Sequence, residues 1–372
     1  MRRAASAVAP LAVLALASLA AAQDPAAVYQ QQPGKAFRFA GDSLARYEWT
    51  RDIPVDDELV NDDRYVLQAR PRVELRAGPV ELGVGGAFNY SEKENDVPPE
   101  GFDEPLLIRD NFRARDARLD LAYAKVKAGP VVVQGGRFFM PIPFTEMIWD
   151  RDLRPQGGAL TLQYAPQGSG TRIALHGIYA TGSHVFEDES VMYGGALDLG
   201  FGSSQGSGLQ LVGSYLQFDD TNELQLAIRR QNTRVAGLFV NEYKVVDLVG
   251  RITRGGQLPL QLVANYCWNT AVDVDNKGLW LAAVMGDLSV SRARAEYVYA
   301  KVDKDATMAA FNTDDFFWGT GWEGHKAELA TGTRKNTSIH GIAQWQRSKD
   351  SPDPVVAQQW VTRYRLEWRT KF

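Results

Sequence analysis

The chain has 372 residues and a formal net charge of −4, with 45% hydrophobic, 23% charged and 10% aromatic residues. This mixture is too apolar and too aromatic for a disordered chain, and the slightly acidic balance gives no indication of a nucleic-acid-binding protein. A single cysteine, Cys267, excludes an intramolecular disulfide and a cysteine-based metal cluster.

The amino-terminal residues 1–22 are predicted to form a secretory signal peptide. Arg2 and Arg3 precede a short apolar run, and small residues follow up to Ala22. This order is typical of exported proteins, so we expect cleavage after Ala22. Residues 23–35 would then form a short periplasmic segment. No later apolar run reaches the length of a spanning helix, so this exported chain is either soluble or a barrel that crosses a membrane with strands.

Alternation of apolar and polar residues predicts strands along the rest of the chain. In residues 360–372, aromatic and aliphatic residues share one parity while most of the other parity is charged. Successive side chains of a strand point to opposite faces, so this segment has one apolar face and one charged face. The segments near 131–139, 209–218 and 279–288 alternate poorly.

Counting one strand per segment predicts sixteen strands. They start near residues 36, 64, 80, 112, 131, 157, 171, 190, 208, 242, 258, 278, 292, 322, 336 and 358. Residues 219–241 are counted as one loop in this scheme. Because residues 223–229 could form half of an extra hairpin, eighteen strands is the alternative.

Short and long connections take turns between these strands. Gly78-Pro79 is an example of the short turns, and residues 51–63 and 141–156 are examples of the long connections. Bacterial outer-membrane barrels have this organisation, with polar side chains inward and apolar ones outward. We therefore predict an all-β, transmembrane antiparallel barrel over residues 36–372.

The positions of the aromatic residues favour this barrel over a soluble β-sandwich, which also alternates. Most lie near strand ends on the apolar parity, as in the aromatic belts at membrane interfaces. These residues are Tyr47, Trp49, Tyr65, Tyr90, Tyr123, Tyr179, Trp345, Trp360 and Trp368. The terminal Phe372 closes an apolar-parity strand, which suits the barrel assembly machinery. We assign Trp360, Trp368 and Phe372 to the membrane interface and to assembly.

Two segments carry a resemblance to a known family. The first contains Gly136-Arg137-Phe138, Pro141, Pro143-Phe144 and Trp149-Asp150-Arg151-Asp152-Leu153-Arg154-Pro155-Gln156-Gly157. The second contains Thr313-Asp314-Asp315-Phe316 and Gly324-His325-Lys326. The first, more specific segment resembles the signature of a family of bacterial outer-membrane porins without an assigned solute. The chain is also distantly similar to phosphate-selective porins in size, basic luminal residues and strand count.

This resemblance implies an outer-membrane channel, either general or selective for an anion such as phosphate. It also implies contact with outer-membrane lipid and lipopolysaccharide, insertion by the barrel assembly machinery and, because porins of this strand count usually form trimers, a homotrimer. Classical porins fold their third long loop into the lumen, and residues 141–156 occupy that position. Their expected pore-lining residues are Glu146, Asp150, Arg151, Asp152 and Arg154. The alternative is an outward loop that caps the barrel.

The inward parity of the predicted strands is basic. It carries sixteen basic residues against ten acidic ones, a net charge of +6. The expected pore-lining wall residues are Arg70, Arg72, Arg118, Arg172, Arg292, Arg294, Arg363 and Arg365. Compensating acids, Asp314 and Asp315 among them, fall in the predicted external loops. A basic wall in a narrow pore concentrates anions, so we predict a modest anion preference. The alternative is that wall arginines and carboxylates pair and only hold the wall in shape.

An outer-membrane enzyme and a non-conducting adhesive barrel are the competing function classes. The four histidines, His176, His184, His325 and His340, lie outside any local motif of an activated nucleophile or base. No metal-ligand spacing stands out in the acidic loops. We therefore expect no enzymatic activity, no cofactor and no metal.

Overall fold

The barrel region of the chain is covered by a computed structural model. It describes residues 36–372 except 56–57, 92–114, 167–168, 184–189, 204–205, 225–231, 314, 317–318, 335 and 350–358. The predicted signal peptide and periplasmic segment lie outside the described residues. Across the described ranges, no helix is both long and apolar enough to span a membrane.

Strands make up most of the described chain. In chain order they are β1 (Phe37–Val55), β2 (Glu58–Ala77), β3 (Val80–Ser91), β4 (Arg115–Ala128), β5 (Val131–Arg137), β6 (Pro155–Tyr164), β7 (Thr171–Ser183), β8 (Val191–Gly202), β9 (Gly208–Asp219), β10 (Arg234–Val235), β11 (Leu238–Phe239), β12 (Tyr243–Arg254), β13 (Leu260–Asn269), β14 (Lys277–Met285), β15 (Ala293–Val302), β16 (Trp322–Arg334), β17 (Thr337–Ser348) and β18 (Val361–Lys371). A short 3-10 turn spans Thr221–Glu223.

Sixteen of these strands close into one antiparallel barrel. Neighbours in sequence pair with each other, β9 pairs directly with β12, and β1 pairs with β18. The predicted sixteen-strand barrel is confirmed. Residues 225–229 of the proposed extra hairpin lie outside the described residues, but the direct pairing of β9 with β12 leaves no place for it in the barrel, so the eighteen-strand alternative is wrong. β10 and β11 form a separate two-stranded sheet. Closure into a single sheet also excludes the two stacked sheets of a sandwich.

The last residue of the chain completes the closing seam. Phe372 and Gly41 exchange two backbone hydrogen bonds, of 2.8 and 2.9 Å, and the Phe372 ring stacks on Phe39 with centroids 5.5 Å apart. A Cβ atom at Gly41 would lie 2.7 Å from that ring. Glycine at position 41 therefore gives the terminal aromatic ring its place in the seam.

The β1–β2 hairpin is longer than the sequence indicated. Residues 51–63 were expected to form a loop, but pairing continues from Thr50 and Asp62 to Val55 and Glu58. A register shift lies between Thr50 and Ile53. The two strands therefore continue as a paired ribbon beyond the rest of the sheet, and the loop prediction is wrong for most of this segment.

Strand β3 shows how the two faces of the sheet differ. Leu82, Val84 and Phe88 are exposed on its outer side, whereas Glu81 and Asn89 are buried on its inner side. The strands therefore place apolar side chains outside and polar side chains inside, which is the reverse of a soluble β-protein.

One bulge changes this pattern in β4. Gly85 pairs with Leu121 and Gly86 pairs with Leu119, which leaves Asp120 as the extra residue. The inward parity changes there, and the buried Tyr123 donates a hydrogen bond of 3.0 Å to Glu81. The expectation that Tyr123 belongs to the outer aromatic belt is therefore wrong.

Candidate functional site in the barrel interior

Two connections fold into the barrel. Loop A, residues 138–154, joins β5 to β6, and loop B, residues 303–321, joins β15 to β16. The nearly fully buried apolar residues of loop A are Phe138, Ile142, Met147, Ile148, Trp149 and Leu153. Those of loop B include Ala306, Thr307, Met308, Ala309, Ala310 and Phe311.

Loop A reaches strands far around the barrel from its own ends. Arg251 of β12 donates hydrogen bonds from Nη2 to the carbonyl oxygens of Pro143, at 2.8 Å, and Phe144, at 3.2 Å. Thr145 is hydrogen-bonded to Asn265 of β13. These contacts fasten the middle of loop A to the inner face of β12 and β13.

A glycine on β14 gives loop A its close approach to the wall. A Cβ atom at Gly278 would lie 2.8 Å from the sulfur of Met147 and 2.7 Å from the sulfur of Cys267. Any larger residue would push the loop away from the strand. The buried Cys267 lies beside this contact, and its sulfur is 3.9 Å from the carbonyl oxygen of Ala306 in loop B.

Loop B is fastened at its first turn by Asp305. This carboxylate accepts hydrogen bonds from the backbone N–H of Thr233 at 3.0 Å, Asn241 Nδ2 at 2.9 Å and Tyr243 OH at 2.7 Å. Asn232 donates to the carbonyl oxygen of Thr307 at 2.9 Å. The segment around β10 and β11 thus holds loop B against the inner wall.

The two loops form one packed unit. The rings of Trp149 and Phe311 stack with centroids 5.5 Å apart and planes 5° apart. The Asp150 N–H donates to the Phe311 carbonyl oxygen at 2.8 Å, and the Thr313 N–H donates to that of Glu146 at 2.9 Å. Ring stacking and two backbone hydrogen bonds therefore hold the two loops together.

This unit packs on one side of the inner wall, which we call the apolar side, formed by β7–β9 and β12–β15. Its buried inward residues include Ile178, Met192, Leu216, Phe218, Val245, Val249, Cys267, Trp280 and Val298. Phe311 stacks on Phe218 at 5.5 Å. Sequence reasoning missed this packing, although the poor alternation near 209–218 and 279–288 was its signal, because both faces of those strands are apolar.

The inner wall formed by β1–β4 and β16–β18 is the charged side. Glu48 lies at its centre and accepts hydrogen bonds from Arg365 Nε at 2.6 Å and Arg64 Nε at 3.1 Å. Arg363 Nε lies 3.6 Å from the same carboxylate. Arg46 donates to Glu367 at 2.7 Å. All four arginines have side chains that are at most 10% exposed.

The structure distributes the eight expected wall arginines unevenly. Arg70, Arg72, Arg118, Arg363 and Arg365 lie together on the charged side.

Two more lie on strands of the apolar side and carry ion pairs. Arg172 on β7 pairs with Asp198 at 2.7 Å, and Arg294 on β15 pairs with Glu328 at 2.5 Å. Arg292 is different: it lies in the turn before β15, is exposed and has a φ of 56°. It is therefore not a wall residue, because β15 begins one residue after the strand start that the sequence indicated.

Three of the five expected loop A residues lie on the edge that faces the charged side. Arg151 is 69% exposed and pairs with Glu146, and Asp152 pairs with Arg70. Burial alone would raise the pKa of Asp152, but Arg70 and Arg154 lower it below its usual range.

The other two, Asp150 and Arg154, are buried within the loop and do not face the water path that the sequence suggested for them. Asp150 accepts a hydrogen bond of 2.7 Å from the Asp152 N–H. Arg154 lies 3.4 Å from Asp120 and 4.5 Å from the ring of Phe139. Both residues hold the shape of loop A.

Asp315 of loop B is a site residue that sequence reasoning placed in an external loop. Its carboxylate pairs with Arg365 and lies 3.8 Å from Lys326, and Arg363 donates to its carbonyl oxygen at 2.8 Å. Burial alone would raise the pKa of Asp315, but Arg365 and Lys326 lower it well below its usual range. The external placement is therefore wrong for Asp315, while Asp314 lies outside the described residues.

The residues assigned to the membrane interface lie at both ends of β18. Trp368 is exposed on the outer face, and its indole donates to Thr370 at 3.2 Å. Trp360 is half-buried, with its ring 6.0 Å from that of His325 and 5.2 Å from the guanidinium of Arg347. Phe372 is buried in the closing seam.

The histidines are divided between the two faces of the sheet. His176 and His340 are buried on the inner face, where His340 lies 3.0 Å from Glu328. His325 of β16 lies on the outer face, where it shares a hydrogen bond of 2.7 Å with the exposed Tyr297. His184 lies outside the described residues. Within the described ranges, no group of three or more His, Cys, Asp or Glu residues is arranged to hold a metal ion.

Comparison with known proteins identifies the fold. No family model and no curated protein sequence matches the chain. Among solved structures, OprB of Pseudomonas putida at high pH is similar with a TM-score of 0.57 and 13% identity, over 91% of this chain and 94% of that chain. A triple mutant of the Rhodopseudomonas blastica porin is similar with a TM-score of 0.50 and 9% identity, over 90% of this chain and 100% of that chain. The chain has the fold of bacterial porins.

Proposed function

We propose that this chain is an outer-membrane porin through which small hydrophilic solutes diffuse passively. One observation carries the proposal: a closed sixteen-strand barrel has apolar side chains on its outer face and a row of charged groups on part of its inner face. An apolar outer face suits lipid, and a charged inner face suits water. Together they describe a channel wall.

The passage in this proposal follows the charged side of the barrel. Loops A and B fill the apolar side and leave Glu146, Arg151, Asp152 and Asp315 on the edge that faces the basic strands. Loop A, with loop B, then acts as the constriction. A solute passing between this edge and the wall meets charged groups on both sides, which favours polar over apolar solutes.

A modest anion preference follows from the charges of this passage. Three arginines surround the single carboxylate of Glu48, and further arginines line β2 and β4. Since most of these arginines are paired with carboxylates, their field is reduced, and the preference is weak rather than strong.

The proposed location is the bacterial outer membrane. The signal peptide, residues 1–22, would export the chain, and the terminal Phe372 would be presented to the barrel assembly machinery. Outer-membrane lipid and lipopolysaccharide would surround the apolar face, and a homotrimer is the expected assembly.

Planar-bilayer recordings of the refolded mature chain, residues 23–372, test this proposal. We expect discrete conductance steps and, in a potassium chloride gradient, a reversal potential that indicates a small preference for chloride. An absence of steps would indicate a structural or adhesive barrel and refute the channel. Clear cation selectivity would refute the anion preference alone.

A further inference from the structure

Three basic side chains of the wall contact Asp315 in the way that a binding site contacts its ligand. One carboxylate oxygen pairs with Arg365, the other lies 3.8 Å from Lys326, and the backbone carbonyl oxygen accepts a hydrogen bond of 2.8 Å from Arg363. Loop B therefore supplies an anion to a site that the barrel strands provide.

The three basic side chains form a built site. Their side chains are only 1–3% exposed, and they come from β16 and β18, where Gln344 of the strand between them pairs in register with both Lys326 and Arg363. In the described part of the chain, Arg365 Nη2 and both polar atoms of the Gln344 side chain have no hydrogen-bond partner. This site thus offers a donor to an anion in addition to the contacts that Asp315 uses.

The other carboxylates near the site are already engaged. Glu48 accepts from Arg365 Nε at 2.6 Å, and Glu296 lies 3.3 Å from Lys326. Glu146 lies 3.8 Å from Lys326 and is paired with Arg151. Asp315, with a side chain that is 28% exposed, is the most exposed of these four carboxylates. It is therefore the partner that a solute in the passage reaches first.

We propose that Lys326, Arg363 and Arg365 form a binding site for the carboxylate group of small anionic solutes, and that Asp315 is its resident, displaceable ligand. The inference rests on the proposed channel function. When a solute carboxylate takes the place of the Asp315 carboxylate, the number of charges at the site is unchanged, so the exchange avoids leaving a buried arginine unpaired.

The Asp315 carboxylate in this site also affects the ion selectivity of the proposed channel. While Asp315 occupies the site, its negative charge compensates one basic group and keeps the anion preference of the channel small. Its carboxylate is ionised at neutral pH because Arg365 and Lys326 lower its pKa. Removing this charge leaves an uncompensated positive group next to the passage.

The variant Asp315→Ala tests the proposal, and Asp303→Ala is its matched control. Asp303 lies at the start of loop B and pairs with Lys349 at 2.5 Å, away from the three basic residues. We expect Asp315→Ala to raise the chloride-to-potassium permeability ratio by about threefold over the wild-type channel. Millimolar acetate, which replaces the missing carboxylate, should return this ratio to the wild-type value. Asp303→Ala should behave as the wild-type channel in both measurements.

The possible outcomes distinguish a failure of the binding proposal from a failure of the proposed channel function. Equal permeability ratios in Asp315→Ala and Asp303→Ala, or an equal effect of acetate on the wild-type and Asp315→Ala channels, would overturn the proposal while leaving the channel function intact. A wild-type chain without conductance would overturn the channel function first. If Asp315→Ala does not insert, Asp315→Asn keeps the side-chain volume and tests the same loss of charge.

Discussion

The two sides of the barrel interior use the same strand geometry for opposite purposes. On the apolar side, inward side chains such as Leu216 and Phe218 pack against loops A and B with almost no exposure. On the charged side, inward side chains such as Glu48 and Arg365 form ion pairs, and the solvent-exposed Arg151 of loop A faces them. The apolar side therefore fixes the loops, and in the proposed channel the charged side would determine what passes them.

The inner wall of this barrel is not uniform for a physical reason. A loop inside a barrel needs a surface that excludes water, because packing of apolar groups supplies most of its stability. A passage needs the reverse, since charged groups must remain near water or near a partner. Separating these two requirements around the wall satisfies both.

The largest expected effect comes from removing the shared carboxylate of the charged side. Glu48→Gln leaves Arg64, Arg363 and Arg365 without their common anion in a buried position, so we expect the free energy of unfolding to fall by about 3–5 kcal/mol. Urea unfolding of the barrel in detergent micelles, followed by tryptophan fluorescence, measures this loss. The control Glu242→Gln removes an exposed partner of Lys244 and should change little. Equal losses in the two variants would contradict the central role of Glu48.

A slightly smaller effect is expected when the apolar side is opened. Phe311→Ala removes the ring that stacks on both Trp149 and Phe218, and the cavity should cost about 3 kcal/mol. The same variant should raise the single-channel conductance, because loops A and B lose their common contact. Phe88→Ala, on the exposed outer face, is the control and should leave the conductance unchanged. An unchanged conductance in Phe311→Ala would show that the stack does not hold the loops.

The anchor between loop A and the wall should have a moderate effect. Arg251→Met removes the hydrogen bonds to the carbonyl oxygens of Pro143 and Phe144, which together are worth about 2 kcal/mol. We expect larger fluctuations of the open-channel current, since the middle of loop A becomes mobile. The control is Arg254→Met, at an exposed position at the end of β12. Its open-channel current should fluctuate no more than that of the wild-type channel. Quiet currents in Arg251→Met would argue that packing alone holds loop A.

The smallest expected effect is that of pH on the conductance. A carboxylate whose pKa is lowered in the folded state contributes stability above its unfolded pKa, and this contribution is lost as the pH falls through the folded pKa. The pKa of Asp315 is held well below its usual range, so the contact with Arg365 should persist down to about pH 4. Wild-type conductance should therefore stay constant between pH 7 and pH 4, where an aspartate of ordinary pKa would already be about half protonated. A conductance step in this range that is present in the wild-type channel and absent in Asp315→Asn would contradict the close pairing.

The barrel could be predicted from the sequence because the alternation within each strand indicates its inward and outward faces without information from other strands. Alternation in β3 and β18 reflects only whether a side chain points outward or inward, and this is decided within the strand. A bulge inserts one residue at Asp120, so the alternation of inward and outward side chains is reversed for the residues that follow. This reversal explains why Tyr123 points inward instead of outward.

The interior was harder to predict because it depends on contacts between distant residues. Asp315 lies near Arg365 only because loop B folds inward, and its acidic neighbourhood in the sequence is also typical of an external loop. The apolar packing of Trp149 and Phe311 joins residues far apart in the chain. Their pairing has no periodic signal, although the strands behind them revealed apolar residues on both faces.

The central claim, that solutes pass on the charged side and not on the apolar side, is tested most directly by cysteine modification in planar bilayers. With the buried Cys267 replaced by alanine, Arg72→Cys places a thiol on the charged side, and Ala196→Cys places one on the apolar side. An anionic, membrane-impermeant methanethiosulfonate reagent should reduce the current through the Arg72→Cys channel, because it places a negative charge where the wild-type wall has a positive one, and should leave the Ala196→Cys channel unchanged. A block of the Ala196→Cys channel without a block of the Arg72→Cys channel would contradict the account.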